Sequence, residues 1–386
     1  MKSFIRVLAL ALAATVFILA MAACGSTPNF TTATTTEKTQ DTVATTGSAG
    51  SDGDKPYIAV ISKGFQHQFW QTVMKGAKDA AAKYNVDMTF DGPPSESDVN
   101  VQVDMINAAI AKNPKAVALA ALDTNSVLQQ LNDFKAKGIP VIGFDSGVPN
   151  APDGTIQATA STNNENAGAL GADSMLADPV FSAALKAATP ENPVVIGVQS
   201  QDATSGSVVG RTTGFVNEML KKAEELFPGQ VAVTGHDKFA KPSTSGKVAV
   251  NIFVLVPPST SATDAQNGAQ TLLNTKGLIA IFDSNEGSVN GTLAATTDGK
   301  DLDRTNGKYK NITVIGFDAG KAQKAAVKNG WFAGSITQDP YRIGYLSIEL
   351  AVKAINGEKV EDMDTGCKFY TKDNMDQADI AQLLYD

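Results

Sequence analysis

Short apolar runs alternate with amphipathic stretches along the chain from Tyr57 onward. The runs are rich in Val and Ile and have the length of buried strands. The stretches between them place apolar residues at helical spacing, as from Trp70 to Tyr84. The strands predicted in the first half of the chain are residues 57–62, 87–91, 116–122 and 140–145. Because strands and helices alternate, we expect a parallel sheet with right-handed crossovers.

A second series of the same kind begins at residue 194. Its predicted elements are strands at 194–200, 277–284, 312–318 and 333–338, and helices over about 207–226, from near Glu286, and after Asp339-Pro340. Two further strand-like runs, residues 231–236 and 248–256, fit the greater length of the second series. The pattern therefore predicts two similar α/β domains, the second of which carries extra strands.

Each series contains nearly the same phrase, VIGFDSG at residues 141–147 and VIGFDAG at residues 314–320. Each phrase places one carboxylate, Asp145 or Asp318, at the C-terminal end of a buried strand. Ligands of open α/β sheets bind at that edge, so two domains could offer these acids to one cleft. The alternative is local: Asp145 could close a turn, and Asp318 could cap the helix that begins near Lys321.

The first residues are typical of a targeting segment. Lys2 and Arg6 precede an apolar run over residues 7–20, and small residues then lead to Cys24. This arrangement resembles a bacterial lipobox, which predicts a signal peptide over residues 1–23 and a lipidated Cys24. The alternative is a short transmembrane anchor. Residues 24–54, rich in Thr and Ser, are predicted to be a disordered linker between the lipid and the folded part.

Composition and motifs exclude several functions. The net charge of −8 without basic clusters argues against nucleic acid as a partner. Cys367 is the only cysteine besides Cys24, so no internal disulfide is expected. The sequence has no dinucleotide fingerprint, phosphate-binding loop, nucleophile elbow or metal-ligand spacing, so we expect no cofactor, metal or catalytic residue. A glycosidase pair of Asp145 and Asp318 stays open, although polar, Gly-flanked strand ends favour ionised carboxylates.

The residue types at the predicted strand ends suit a small polyol. Ionised Asp145 and Asp318 accept hydrogen bonds from hydroxyl groups, and Asn285 and Gln338 both donate and accept. Phe69 and Trp70 offer rings to the C–H faces of a sugar.

Some of these residues also have structural alternatives. Trp70 could belong to the core, Asn285 could cap the helix at Glu286, and Gln338 could be a hinge residue. His67 could be part of the polar loop surface.

Several segments of the chain resemble type I periplasmic sugar-binding proteins of the ribose-binding group. They are residues 62–77, 139–147, 284–291, 314–320 and 334–344, and the resemblance extends over residues 55–385. It implies two Rossmann-like parallel-sheet domains joined by a three-crossover hinge, with crossovers near Ser161, Gln338 and Thr365. The lobes would be residues 55–161 plus 339–365 and residues 162–338 plus 366–386.

By position, the resemblance implies ligand contacts for the seven residues His67, Phe69, Trp70, Asp145, Asn285, Asp318 and Gln338. Ser146 also belongs to the implied site, although it stands where the ribose binder has an arginine.

The chain departs from the ribose pattern elsewhere too. Val209 aligns with a second ligand arginine, Arg211 aligns with an arginine that is not a ligand, and Thr260 aligns with a third aromatic contact. These departures argue against ribose. Ser146, Lys63 and the residues 90–94 resemble instead the rhamnose-type and autoinducer-type receptors of the same superfamily.

The expected function is that of a monomeric, lipid-anchored receptor outside the cytoplasm, on the outer face of the cytoplasmic membrane or in the periplasm. This receptor would bind a monosaccharide or similar polyol and pass it to an ABC permease. The alternatives are a receptor for a furanosyl autoinducer and a cleft glycosidase.

Overall fold

The computed structural model describes residues 55–65 and 67–385. The first elements are β1 (Tyr57–Ile61), α1 (Gln68–Tyr84), β2 (Asp87–Asp91), α2 (Val99–Lys112), β3 (Ala116–Leu119), α3 (Leu128–Ala136), β4 (Val141–Phe144) and β5 (Ala158–Ser161). The middle of the chain forms α4 (Asn164–Ala177), α5 (Pro179–Lys186), β6 (Val194–Gln199), α6 (Gly206–Leu226), β7 (Val231–Gly235), β8 (Val250–Leu255), α7 (Ala262–Leu273), β9 (Leu278–Asp283), α8 (Glu286–Ala295), β10 (Thr313–Phe317), α9 (Lys321–Lys328) and β11 (Gly334–Gln338). The last elements are α10 (Pro340–Ile355), β12 (Met363–Asp364), β13 (Cys367–Tyr370) and α11 (Ala378–Ala381).

These strands form two separate sheets, and each sheet is the centre of one lobe. The first lobe has the order β12-β5-β4-β3-β1-β2, and all its pairs are parallel. The second lobe has the order β13-β11-β10-β9-β6-β8-β7, in which only β13 runs antiparallel to its neighbour. The predicted architecture of two parallel-sheet α/β domains is therefore confirmed.

The chain passes between the two sheets three times. It leaves the first sheet after β5, returns to it after β11 through α10, and crosses again between β12 and β13. Strands β3 and β4 are buried over their whole length, because helices cover both faces of the sheet. This is why they read as continuous apolar runs rather than as alternating ones.

The repeated phrase has a common backbone conformation as well as a common sequence. Directly after β4 and β10, Asp145 and Asp318 have φ angles of 53° and 78°. These are left-handed values, which Asp and Asn tolerate better than most residues other than Gly. The N–H of Asp145 still donates to Ala160 O of the neighbouring strand at 3.0 Å. Each strand therefore ends in the same abrupt turn, with an aspartate at the turn.

The extra residues of the second lobe lengthen its sheet at one edge. β8 pairs with β6, and β7 pairs in parallel with the outer side of β8. The described loop between β7 and β8 contains no helix, and it folds back so that Val233 and Lys241 exchange two backbone hydrogen bonds of 2.7 and 2.9 Å. That exchange covers part of the sheet edge, which would otherwise expose unpaired groups.

Helices α4 and α6 pack unusually closely in the second lobe. A Cβ atom on Gly168 would lie 2.1 Å from Arg211 O, and one on Gly214 would lie 2.0 Å from Glu165 O. Only glycine permits this approach. The close packing fixes the rotation of α6 about its axis and hence the direction of the Arg211 side chain.

Within the described part of the chain, no helix is both long and apolar enough to cross a membrane. The predicted signal peptide, lipidated Cys24 and linker to residue 54 lie outside the described residues.

Candidate functional site

A small cavity lies between the two lobes, at the C-terminal ends of their strands. We call it the cleft cavity. It measures about 20 Å³, which is space for about one water molecule. Its lining consists of Lys63, His67, Phe69, Trp70, Glu96 and Asp145 from the first lobe and Val208, Arg211, Asn285, Asp318 and Gln338 from the second. Because side chains of both lobes meet around so small a space, the lobes are closed on each other.

The cleft cavity brings together seven of the eight residues predicted as ligand contacts. Ser146 is the exception: it is buried outside that lining, and its hydroxyl donates to Ala121 O at 2.9 Å. The lining also contains four residues that the prediction did not include, namely Lys63, Glu96, Val208 and Arg211.

Asp145 is held by the side chain that follows β1. Lys63 Nζ lies 3.0 Å from Asp145 Oδ2, and both side chains are almost fully buried. Burial lowers the pKa of Lys63, but the carboxylates of Asp145 and Glu96 outweigh it, so that the net shift is upward. Lys63 also donates to Ser207 Oγ of the second lobe at 3.0 Å. The ion pair of the first lobe is thus connected directly to α6.

Arg211 lies between the two duplicated aspartates. Its Nη2 is 4.0 Å from Asp145 Oδ1, and its Nη1 is 3.8 Å from Asp318 Oδ2. Its Nε donates to Asn164 Oδ1 at 2.9 Å, and its guanidinium carbon lies 3.9 Å from the centre of the Phe317 ring. The side chain is therefore fixed from several directions and faces one carboxylate from each lobe.

The structure brings Arg211 into a site for which the resemblance implies no arginine contact. Val209, which aligns with a ligand arginine, lies outside the cleft cavity, whereas Arg211 lines it. One feature of the sequence indicates Arg211. It lies on the buried face of α6, together with Val208, Thr212 and Phe215, and it is the only charged residue on that face. A charge on an apolar helical stripe is rarely buried without a partner.

Asp318 is held within the second lobe. Gln338 Nε2 donates to Asp318 Oδ1 at 2.6 Å, and the N–H of Glu286 donates to Asp318 Oδ2 at 3.0 Å. Among the described residues, α9 has Gly320 as its N-cap and no side-chain cap. Asp318 therefore does not have the capping role that was its structural alternative.

Four side chains form a hydrogen-bonded chain from one lobe to the other. Trp70 Nε1 and Gln201 Nε2 each donate to the Glu96 carboxylate at 2.8 Å, and Asn285 Nδ2 donates to Gln201 Oε1 at 2.7 Å. Burial raises the pKa of Glu96, but Lys63, His67 and the two donors reverse this effect, and the net shift is downward. Glu96 is thus an ionised acceptor that joins the lobes.

Asn285 combines a structural role with its position in the cavity. Its Oδ1 accepts the N–H of Ser288 at 3.0 Å and so caps α8, while its amide nitrogen belongs to the chain just described. The capping alternative is therefore correct for Asn285, and it does not compete with a place in the site.

The aromatic residues form one wall of the cleft cavity. The rings of Phe69 and Trp70 meet edge to face at 5.0 Å, and Trp70 packs on Phe144 of the core at 6.3 Å. Trp70 thus belongs to both the core and the cavity lining. His67 Nε2 lies 3.8 Å from Glu96 Oε1 and is buried without a hydrogen-bond partner among the described residues.

The chemistry of the lining suits hydroxyl groups. Three carboxylates accept hydrogen bonds, and Lys63, Arg211, Asn285 and Gln338 supply donors within the same space. In the described part of the chain, no group of three or more His, Cys, Asp or Glu side chains is arranged to hold a metal ion.

Comparison with known proteins finds relatives of one kind, by sequence and by structure. A family model described as periplasmic binding protein domain matches residues 58–359. The D-allose-binding periplasmic protein of Escherichia coli is 24% identical over 321 residues, which cover 82% of this chain and 90% of that protein.

Two solved structures cover nearly the whole of the described chain. An ABC transporter, LacI family transcriptional regulator from Brachyspira murdochii is 38% identical, with a TM-score of 0.70 over 86% of this chain and 99% of that one. An ABC transporter solute binding protein from Agrobacterium vitis with bound D-fucose is 26% identical, with a TM-score of 0.70 over 85% and 100%. From its two-sheet fold, the residues matched by the family model and these relatives, the chain belongs to the periplasmic binding proteins, in their type I sugar-binding class.

Proposed function

We propose that this protein is a solute receptor that captures an uncharged monosaccharide or similar polyol between its lobes and delivers it to an ABC importer. The observation that carries the proposal is the position of Arg211 between Asp145 and Asp318, one acid from each lobe. A ligand in the cleft cavity would contact both lobes at once, and its hydroxyl groups would find acceptors and donors in the same small space. The sugar-binding relatives support the same class of ligand.

The binding step would require the lobes to separate. A monosaccharide is several times larger than a water molecule, so it cannot enter a cavity of about 20 Å³. In the open protein, Asp145 would stay with Lys63 and Asp318 with Gln338, since these contacts lie within a lobe. The sugar would accept hydrogen bonds from Arg211 and Asn285 and donate to the two aspartates. Phe69 and Trp70 would cover its apolar face on closure.

The same proposal includes how the receptor is retained. Cys24 would carry the lipid, and residues 25–54 would tether a monomeric receptor on the outer face of the membrane, within reach of the permease. Metabolic labelling with a radioactive fatty acid would test the lipid, with Cys24→Ser as the variant that should lose the label.

A panel of sugars tests the binding function. Purified full-length protein is heated with D-allose, D-ribose, D-fucose, D-arabinose, L-rhamnose and myo-inositol, and the best hit is measured by calorimetry. We expect one or more of these ligands to raise Tm in the wild type and Asp145→Asn or Asp318→Asn to lose most of the binding. Asp373→Asn, an exposed carboxylate outside the cleft cavity, is the matched control. Unchanged affinity in both cleft variants would refute the site.

A receptor for a furanosyl autoinducer is the second candidate, because Lys63 lines the cleft cavity beside Asp145. Mass spectrometry of the ligand released from protein purified from producing cells separates this function from nutrient uptake. A glycosidase is disfavoured because each aspartate faces a cation, which suits an ionised acceptor and not a proton donor. Failure to release sugar from aryl glycosides would agree with that assignment.

A further inference from the structure

Two helices that face each other across the cleft begin without caps of their own. At the start of α1, His67 is the N-cap residue and makes no side-chain cap hydrogen bond within the described residues. At the start of α9, the N-cap residue is Gly320, which has no side chain to offer. The first N–H groups of a helix need acceptors from outside the helix. The first backbone N–H groups of both helices therefore need acceptors from other parts of the molecule.

Each of these helices receives its acceptor from the opposite lobe. The N–H of Lys321, the first residue of α9, donates to Gln68 Oε1 of the first lobe at 2.8 Å. In return, the Glu286 carboxylate of the second lobe lies at the start of α1: burial raises its pKa, and the backbone N–H groups of Gln68 and Phe69 oppose that shift. Gln68 thus caps α9 of the other lobe, and Glu286 is the acceptor that the second lobe offers to the start of α1.

We propose that Gln68 and Glu286 form an interlobe latch that exists only in the closed protein and helps to determine how tightly the ligand is retained. The inference rests on the proposed function for its ligand, but the latch itself is a property of the two lobes. Neither residue belongs to the predicted ligand contacts, so they are positioning residues that act through closure.

The latch is continuous with the ligand site in sequence and in space. Gln68 directly precedes Phe69, and Glu286 directly follows Asn285. The backbone N–H of Glu286 donates to Asp318 Oδ2 at 3.0 Å, while its carboxylate faces α1. Ligand contacts and latch contacts therefore lie side by side at the starts of α1 and α8, and closure around a sugar brings both sets together.

The surroundings of Glu286 leave little freedom for its carboxylate. A Cβ atom on Gly320 would lie 2.5 Å from Glu286 Oε1, so glycine at this N-cap makes room for the carboxylate. Glu286 Oε2 is buried and has no hydrogen-bond partner among the described residues. The absence of a side chain at Gly320 thus explains both why α9 lacks its own cap and how Glu286 reaches the start of α1.

Shortening the side chain of Gln68 or Glu286 to alanine should therefore favour open lobes without altering the ligand contacts. Gln68→Ala and Glu286→Ala remove an acceptor that only the closed state uses. Gln68→Glu and Glu286→Gln retain an acceptor oxygen and serve as the matched variants. Lys78→Ala, at an exposed position on α1, controls for effects on the helix itself.

The experiment measures lobe closure and ligand kinetics on the full-length protein. Fluorophores on the two lobes report the closed fraction by single-molecule energy transfer, and stopped flow with the best sugar of the panel gives the association and dissociation rates. We expect each alanine variant to lose closed population and to release the sugar about five- to tenfold faster, with the association rate changed less than about twofold. The Tm of each unliganded alanine variant should stay near that of Lys78→Ala. A general structural defect would lower the Tm, so this comparison separates such a defect from a specific loss of closure.

Unchanged dissociation rates and closed fractions in both alanine variants would overturn the latch, as would equal losses in the variants that keep an acceptor. If no sugar binds, the proposed function fails but the latch is still tested by the closed fraction of the free protein. In that case a fall on truncation supports the latch. A closed population that is unaffected by truncation, or absent already in the wild type, refutes it.

Discussion

Asp145 and Asp318, which end the two copies of the repeated strand, lie on opposite sides of a single guanidinium, with oxygen–nitrogen distances of 4.0 and 3.8 Å. One acid belongs to each lobe, so the Arg211 between them is attracted by both halves of the protein. The duplicated phrase thus produces a pair of like charges whose repulsion is offset by a residue outside the repeat. This dependence makes Arg211 the first residue to change.

Replacing Arg211 with Met should lower both stability and binding. The variant leaves two buried carboxylates without their shared cation, which costs about 3–5 kcal/mol in comparable buried pairs. Urea unfolding of the unliganded protein measures the first effect, and calorimetry with the sugar of the panel measures the second, for which we expect a loss of 100-fold or more (~2.7 kcal/mol). Lys221→Met, at an exposed position on the same helix, is the control. A variant as stable as this control would contradict the bridging role.

The Glu96–Gln201 hydrogen bond should couple the lobes energetically. A double-mutant cycle with Glu96→Ala and Gln201→Ala compares the two single variants with the double one in sugar affinity. Because a charged acceptor and a buried amide interact at 2.8 Å, we expect a coupling of about 1.5–3 kcal/mol. Ser97 and Thr260, whose hydroxyls meet across the lobes at 2.8 Å in an exposed position, provide the comparison cycle with a smaller coupling. Strictly additive effects of the cleft pair would show that the contact carries no binding energy.

Trp70 should report ligand binding by fluorescence. The chain has two tryptophans, and only Trp70 lines the cleft cavity. When a sugar binds, it changes the surroundings of the Trp70 indole ring, so the wavelength or intensity of the Trp70 emission should change. The change should disappear in Trp70→Phe and persist in Trp331→Phe. A ligand signal that is lost in Trp331→Phe and retained in Trp70→Phe would place the sugar away from the cleft cavity.

The buried Asp283 should make stability depend on pH. Burial raises the pKa of Asp283 to about 8, from 3.8 in an exposed chain, although the Thr292 hydroxyl opposes the shift. The folded state therefore holds a proton that the unfolded chain releases. The contribution of Asp283 to the free energy of unfolding is fully present below about pH 4. It falls by about 1.4 kcal/mol per pH unit as the pH rises, and the free energy stops falling above about pH 8.

Asp283→Asn removes the titrating group and should flatten this dependence. Urea unfolding at pH 5, 6, 7 and 8 measures the slope for the wild type and the variant. Asp373→Asn, an exposed carboxylate, should keep the wild-type slope. Parallel pH profiles for the wild type and Asp283→Asn would mean that Asp283 is already ionised in the folded protein.

The sequence predicted ten of the thirteen strands in the described part of the chain and the two cleft aspartates, because buried parallel strands leave a strong local pattern; it did not predict the short strands β5, β12 and β13. It did not predict α4, whose residues 164–177 have small side chains in place of a broad apolar stripe. That helix packs on α6 through glycine backbones, and such contacts leave no hydrophobic period to detect.

The missed site residues have a related explanation. Glu96 and Gln201 lie in loops after β2 and β6, and no local pattern indicates that loops of opposite lobes will meet. The resemblance aligns Val209, two positions earlier, with the ligand arginine and therefore does not indicate Arg211 as a ligand contact. On a helix, two positions change the direction of a side chain by about 200°. The rotation of α6 is set by its contact with α4, which is a tertiary property.

The left-handed backbone at Asp145 and Asp318 limits how this protein can change its ligand. Positions with such φ angles accept Asp, Asn and Gly much more readily than Glu, Thr or Arg. The two opposed acids are therefore nearly fixed by the turn, whatever sugar is bound. Evolution or redesign towards a different polyol would have to work through the neighbours that have ordinary backbones, chiefly Lys63, Glu96 and Arg211. A library that varies these three positions and keeps both aspartates is the reasonable starting point for a new receptor.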